Sequence, residues 1–365
     1  MKPKGRFGAL SGACSCCESQ SGFGASALTR RAVLGGGAAA AFGALASVSP
    51  AAAQTKPHRI DVHHHVSPAP WVEVLKKAKL DTPPVSNWSV QKSLDDMDQG
   101  GVATAVVSPT TPHVAFLERD EAAHIARASN DFAKKLTADH PGRFAMFGML
   151  PLPHVEESLR EIEYALDTLK ADGVCVLTSY GDKWLGHPQF APVMDELNRR
   201  KATVYTHPTA ANCCHNLLPE VGDSIIEYAT DTTRTIASLV LSRTTQRCKD
   251  ISFIFSHGGG TMPFIAERFL RLPKSDKKRY GSWSEAEILA ELKRLHYDTA
   301  QASHPTAMAA LTRLIPVSQI VFGTDYPYRK ATDYVAALGG LFGPDDLKAI
   351  DRENALRLLP RLKSA

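Results

Sequence analysis

Three adjacent histidines, in Ile60-Asp61-Val62-His63-His64-His65, end a stretch that reads as a β-strand. Successive side chains on a strand point to opposite faces, so His63 and His65 share one face and His64 takes the other. Two imidazoles side by side at a strand's carboxyl end can hold one divalent metal through neutral nitrogens, the ligands zinc favours. A polar strand end with no metal explains this segment alone equally well. Three further apolar runs stop in the same manner: Val204-Tyr205-Thr206-His207-Pro208, Phe253-Ile254-Phe255-Ser256-His257-Gly258-Gly259-Gly260 and Val321-Phe322-Gly323-Thr324-Asp325-Tyr326-Pro327. Each leaves one ligand-type side chain where the strand gives way to a Gly- or Pro-rich loop. A lone histidine at such a position is ordinarily a satisfied core or loop residue. The same event at four strand ends points to one shared metal site.

A shared site requires an architecture that gathers strand ends. Strand-like runs occur at 58–65, 102–109, 143–150, 173–179, 203–208, 251–257, 295–299 and 320–325. Amphipathic stretches such as 118–139, 155–170, 190–201, 262–272 and 305–314 alternate with them. Eight strands alternating with helices predict an α/β fold of the (β/α)₈ TIM-barrel type, whose active sites lie at the carboxyl ends of the strands. A doubly wound open sheet is the rival, but no Gly-rich dinucleotide fingerprint follows the first strand. Insertions at 66–88 and 210–223 fall at carboxyl strand ends and are candidate lids. The stretch 344–359 reads as a closing helix with Asp345 and Asp346 near its start.

Residues 1–53 differ from the rest. Lys2, Lys4 and Arg6 precede Thr29-Arg30-Arg31-Ala32-Val33-Leu34, a Gly/Ala-rich stretch and the small-residue end Ala51-Ala52-Ala53. A charged region, a weakly apolar region and an A-x-A-like site in that order describe a signal peptide. The paired arginines make it resemble a twin-arginine signal. The expectation is therefore a signal over 1–53, a barrel over 54–365, and a periplasmic or secreted protein. The net charge of +4 is carried by Lys2, Lys4, Arg6, Arg30 and Arg31 against Glu18, so the remaining chain is near neutral. That excludes the electrostatic footprint of a nucleic-acid or anionic-membrane partner. Of the cysteines beyond the signal, Cys175, Cys213, Cys214 and Cys248 show no zinc-ribbon spacing, and their pairing is open. Adjacent ligands in Cys213-Cys214-His215 suit one tetrahedral ion poorly, so that run reads as a loop.

Taken in order, His63-x-His65, Thr206-His207-Pro208, Ser256-His257-Gly258-Gly259-Gly260 and Gly323-Thr324-Asp325-Tyr326-Pro327 resemble the amidohydrolase superfamily, in its aminocarboxymuconate-semialdehyde decarboxylase-like group. The segments Leu150-Pro151-Leu152-Pro153, Asp231-Thr232-Thr233-Arg234 and Tyr297-Asp298-Thr299-Ala300 are similar to those of proteins described as 6-methylsalicylate decarboxylases. The resemblance implies metal ligands His63, His65, His207 and Asp325, with His257 as the acid/base beside them and Asp325 sharing in the proton transfer. It implies that Arg268, supplied by a neighbouring subunit, grips the substrate carboxylate, and hence a homodimer. Strand four, Val174-Cys175-Val176-Leu177-Thr178-Ser179-Tyr180, lacks the lysine that bridges two metals in binuclear relatives, which favours one metal. Zinc is the first expectation from the His₃Asp set and manganese the alternative. No arginine lies between Ile60 and Glu118, where the decarboxylase that names the group has a second one. This favours a monocarboxylate, unless Lys76, Lys77 or Lys92 substitutes.

The expected activity is non-oxidative decarboxylation of an aromatic or unsaturated acid, with a 2-hydroxybenzoate such as 6-methylsalicylate as the first candidate. The alternative is hydrolysis of an ester, lactone or amide by metal-activated water, since one fold hosts both chemistries. A metal- or solute-binding protein without turnover is the third reading, against which His257 is surplus to holding a metal. Asp61 and Asp298 are expected to brace strand ends or ligands. Arg234 either reaches the site or pairs with Asp231, and Tyr180, His113 and Tyr328 stand near the pocket without assigned roles.

Overall fold

The computed structural model describes residues 57–364, and the signal-like segment 1–53 lies outside the described residues. The eight expected strands form one parallel sheet, here numbered β1 (Arg59–His65), β2 (Val102–Ser108), β3 (Phe144–Met149), β4 (Gly173–Leu177), β5 (Thr203–His207), β6 (Ser252–Phe255), β7 (His296–Asp298) and β8 (Ile320–Val321). Each pairs with the next in chain order. The sheet closes between last and first strands: Val62 N donates to Phe322 O at 3.0 Å, Asp325 N to His63 O at 2.8 Å and His65 N to Tyr326 O at 2.8 Å. This is the (β/α)₈ barrel.

Two apolar layers make the barrel cohere. Inside it, Ile60, Val62, Val106, Ala145, Phe147, Cys175, Tyr205, Ile254 and Val321 pack together, closed below by Ala355, Leu359 and Leu362 from the chain's last turns. Between strands and helices lies a larger cluster including Val107, Phe144, Val176, Phe253, Phe255, Tyr297 and Phe322. Strands that alternate between these layers are apolar on both faces, which is why they read as near-continuous hydrophobic runs.

The helices follow the amphipathic pattern with local breaks. Arg119–Asp139, Ala191–Arg199, Met262–Leu270 and Pro305–Leu314 lie within the expected spans. The stretch expected as one helix over 155–170 is α-helical at Val155–Glu163 and widens to a π segment at Tyr164–Thr168. The closing helix expected over 344–359 is likewise split into Pro344–Lys348 and Asn354–Leu358 by a π segment at Ala349–Glu353. Ile350 O, freed by the wider turn, accepts from Phe322 N at 3.0 Å, so the break ties the last helix to β8. The insertion after β1 contains the helices Ala69–Ala78 and Pro83–Ser86, whose Trp71, Leu75 and Val85 pack with Val114, Ile125 and Met149.

The glycine run after β6 is required by close approach. A Cβ on Gly260 would lie 2.0 Å from Ala229 O, and its φ of +66° is one that side chains rarely adopt. We expect Gly260→Ala to lower stability by about 2–4 kcal/mol, from the φ penalty and the clash together. Urea unfolding would read this, and an unchanged midpoint would show that the helix Asp223–Leu241 carrying Ala229 yields freely.

Candidate metal centre

β1 does not keep a simple alternation. Ile60 and Val62 belong to the barrel interior, yet His63 and His65 also reach the central site. The pairing of β1 with β2 slips between Asp61 and His64, and such a bulge re-aims the side chains beyond it. His64 points away: its Nδ1 contacts Asp61 Oδ2 at 3.1 Å and its Nε2 contacts Ser93 Oγ at 3.0 Å. Asp61 braces the strand end through Thr324, whose Oγ1 donates to Oδ2 at 2.6 Å.

His63, His65, His207 and Asp325 converge, each offering one ligand atom, with all these atoms within 4.8 Å of one another and all four residues buried. Their protonation states are set from behind. His65 Nδ1 donates to Ser108 O at 3.2 Å and His207 Nδ1 to Pro208 O at 2.8 Å. Carbonyl oxygens only accept, so these Nδ1 atoms carry protons and each Nε2 presents a lone pair in the neutral ring. His63 Nδ1 likewise donates to Asp298 Oδ2 at 2.8 Å. Nε2 of His63 and Nε2 of His65 then face each other at 3.1 Å, and both lie 3.1–3.2 Å from Asp325 Oδ1.

Lone pairs and a carboxylate oxygen crowded together in a buried space call for a cation. The electrostatics agree. Burial pushes His63 down, but Asp325 and Asp298 outweigh it and hold the ring up at about 10, so the carboxylates favour positive charge at this position. Burial keeps His65 and His207 below the ordinary histidine range, with neighbouring imidazoles pushing His207 further. Burial would raise Asp325, but His63, His257 and His65 hold it well below the carboxylate range. Three neutral nitrogens and one carboxylate suit one divalent metal ion.

His257 stands beside the ligands. Its ring stacks on His63 at 5.3 Å between centroids, and its buried Nε2 lies 3.4 Å from Asp325 Oδ2 without a well-formed hydrogen bond. His257 and Asp325 both have positive φ, 55° and 62°. Non-glycine residues held in this region cost energy and persist where surrounding structure imposes them. Here His257 N donates to Asp298 Oδ1 at 2.8 Å, and Asp325 N to His63 O at 2.8 Å.

A cavity of about 690 Å³ opens onto His207, His257 and Asp325. Both insertions border it, with Leu80 and Thr82 from one and Ala210 and His215 from the other. Ala229, Ala302 and Ala307 give it apolar walls, and Tyr328 also lines it. Among the described residues no lysine or arginine lines it. Lys92 instead caps Asn87 O at 2.7 Å, and Lys76 and Lys77 are exposed in the last turn of their helix. Arg268 is exposed on the helix Met262–Leu270 and is not part of this cavity within one chain.

The remaining candidates resolve simply. Asp231 accepts from Thr178, Ser179 and Trp184, bracing the loop after β4, while Arg234 pairs with Glu227 at 3.4 Å. Tyr180 OH accepts from Leu177 N at 2.8 Å. His113 is buried and burial pushes its ring down to about 3, so it stays neutral. Cys213 and Cys214 form a disulfide, and Cys175 and Cys248 are free and buried. Among the site residues that escaped the sequence reading is Gln301, whose Nε2 donates to Asp325 Oδ2 at 3.0 Å. It directly follows the Tyr297-Asp298-Thr299-Ala300 segment, but a glutamine in a loop carries no signal of its own.

Fold and donor set together define a metal-binding (β/α)₈ barrel, and the chain belongs to the amidohydrolase family, which matches residues 60–361. It is 35% identical to Decarboxylase yanB of Aspergillus niger over 84% of this chain and 88% of that protein. It is 34% identical to 6-methylsalicylic acid decarboxylase acuB of Aspergillus aculeatus over 84% of this chain and 97% of the relative. The fold is shared with the dihydroxybenzoic acid decarboxylase of Polaromonas solved with bound manganese, at a TM-score of 0.73 and 19% identity, over 84% of this chain and 98% of that one.

Asp298 fixes the orientation of His63 and the backbone of His257 at once. Asp298→Asn should therefore weaken metal affinity about 10- to 100-fold, the usual effect of losing a ligand's partner. Metal retained after dialysis against graded chelator measures it, and wild-type retention would remove Asp298 from the site.

Proposed function

We propose that this chain is a metal-dependent, non-oxidative decarboxylase of an aromatic or unsaturated carboxylic acid, with 2-hydroxybenzoates such as 6-methylsalicylate as the first substrate class to try. The observation that carries the reading is a single buried cation site with a spare imidazole, His257, beside it, in a chain 34% identical to a 6-methylsalicylic acid decarboxylase.

The bound metal supplies a Lewis acid and a template for a phenolic oxygen and its neighbouring carboxylate. The chain's own groups supply orientation and the proton. His257 Nε2 and Asp325 Oδ2, 3.4 Å apart, form the pair that delivers a proton to the ring carbon bearing the carboxylate. Gln301 keeps Asp325 Oδ2 turned toward that pair. Once the carbon is protonated, the bond to the carboxylate breaks, its electrons restore aromaticity, and neutral carbon dioxide leaves. The balance is one carboxylate and one proton giving one phenol and one carbon dioxide.

Zinc is proposed for the site on the His₃Asp donor set, with manganese the alternative. The assembly proposed is a homodimer in which each cavity is completed by the partner subunit's Arg268. What supports it is a cavity that no lysine or arginine lines among the described residues and an exposed arginine on a helix following β6. Export to the periplasm or medium is proposed on the Arg30-Arg31 signal pattern.

The test is product analysis with metal-quantified protein. Carbon dioxide and 3-methylphenol should form from 6-methylsalicylate in proportion to one metal per subunit, and His257→Ala should lower kcat about 10²- to 10⁴-fold. Intact metal and fold with no carbon dioxide from any hydroxybenzoate would sink the reading and move lactones and esters forward.

Arg268→Ala should raise KM for the acid at least tenfold with metal content unchanged, as expected when a bidentate carboxylate contact is lost. Sedimentation should give twice the subunit mass. A monomer of full activity would remove Arg268 from the site.

A further inference from the structure

The loop after β5 is held more firmly than a surface connection needs. Asn212 N donates to Gly181 O at 3.4 Å and Cys213 N to Asp182 Oδ1 at 2.8 Å. Cys213 and Cys214 are joined to each other. At the far side Asp223, the first residue of the helix Asp223–Leu241, uses both carboxylate oxygens on the loop. Oδ1 accepts from Asn216 N at 2.9 Å and Oδ2 from His215 Nδ1 at 3.0 Å. Between these ties stands His215, whose side chain is 53% exposed. An exposed imidazole is normally free to rotate. This one is fixed in backbone and in ring, which is the support given to a residue that must present an atom at a set place.

The atom presented is Nε2. Because a carboxylate only accepts, His215 Nδ1 carries the proton toward Asp223, and in the neutral ring Nε2 is an acceptor. His215, Asp223 and Ser224 line the same cavity as His207, His257 and Asp325. Exposure orders them by depth: the side chains of Asp325 and His257 are 9% and 11% exposed, so the metal ligands form the floor and His215 the rim. The walls mix Ala229, Ala302 and Ala307, which offer no hydrogen bond from their side chains, with the hydroxyls of Thr110, Thr209, Tyr228 and Tyr328. A ring whose carboxylate and 2-hydroxyl face the floor turns its para edge outward, toward the rim. At about 690 Å³ the cavity has room beyond a bare single ring.

We propose that His215 is a positioning residue that accepts a hydrogen bond from a hydroxyl of the substrate para to its carboxylate, so that 2,4-dihydroxybenzoate-type acids are favoured over 2-hydroxybenzoate. The inference rests on the decarboxylase reading for the direction in which the acid lies. Asp223 holds the His215 tautomer that accepts. The preference is a difference between two acids, and a merely structural role for the loop would move both alike.

The experiment compares 2-hydroxybenzoate and 2,4-dihydroxybenzoate on the metal-loaded full chain, by steady-state kinetics and by calorimetric binding. Wild type should show a KM and Kd about five- to tenfold lower for the dihydroxy acid, the order one hydrogen bond contributes. His215→Ala should erase that ratio while kcat and KM for 2-hydroxybenzoate and the metal content stay within about twofold. His215→Phe, which keeps the ring's bulk, serves as the second variant and should also erase it. No preference in wild type, an unchanged ratio in both variants, or an equal loss for both acids would overturn the proposal. Calorimetry separates this from the activity: differential binding that depends on His215 without carbon dioxide release would sink the decarboxylase reading alone.

Discussion

One buried carboxylate organises this site. Asp298, at the end of β7, accepts through Oδ2 from His63 Nδ1 at 2.8 Å and Tyr205 OH at 2.9 Å, and through Oδ1 from His257 N at 2.8 Å and Ala300 N at 3.1 Å. Four donors from four chain segments meet a group with no exposure. The bond to His63 sets which nitrogen faces the metal position, and the bond to His257 sets the backbone that carries the acid/base. A carboxylate buried this deeply is costly unless its lone pairs are used, and here two of the four bonds also fix functional parts, His63 and His257.

The barrel makes that economy possible. Eight parallel strands bring β1, β5, β6, β7 and β8 to one rim, so residues more than two hundred positions apart lie within hydrogen-bond reach. Strand ends alone do not complete the site. The slip in β1 between Asp61 and His64 turns His63 and His65 inward, and the positive φ of His257 and Asp325 turns those side chains back over the mouth. Regular strands place the site, and departures from regularity aim it.

Much of this was legible in the sequence because strand ends announce themselves: an apolar run, then a ligand-type residue, then Gly or Pro. His63, His65, His207, His257 and Asp325 all carry that mark, and the alternation of β-rich and amphipathic runs carries the fold. Gln301 and Ser108 O carry no such mark, since one is an ordinary loop residue and the other a backbone carbonyl. Periodicity cannot show where a helix widens into a π turn, so the breaks at Tyr164–Thr168 and Ala349–Glu353 were invisible. Spacing did not give the partner of Arg234 either: it is neither the site nor Asp231 but Glu227, two turns back on the same helix. Cys213 and Cys214 are sequence neighbours, and spacing does not show that they bond to each other rather than to Cys175 or Cys248.

The charge distribution argues for how the proposed chemistry would divide its labour. The floor of the cavity is polar and held in place by Asp298, Ser108 O and Pro208 O, while its wall mixes alanines with the hydroxyl-bearing Thr110, Thr209, Tyr228 and Tyr328. Decarboxylation moves negative charge from a compact carboxylate into a ring and then discharges it with one proton. The apolar part of the wall, Ala229, Ala302 and Ala307, disfavours the starting carboxylate more than the spread charge that follows, so binding at the floor is realised as the charge moves. A hydrolytic reaction concentrates charge on one tetrahedral oxygen and calls for donors aimed at that point. The side chains tied down by hydrogen bonds are those around the metal position and His215, and Ala229, Ala302 and Ala307 leave part of the wall to a ring over which charge can spread.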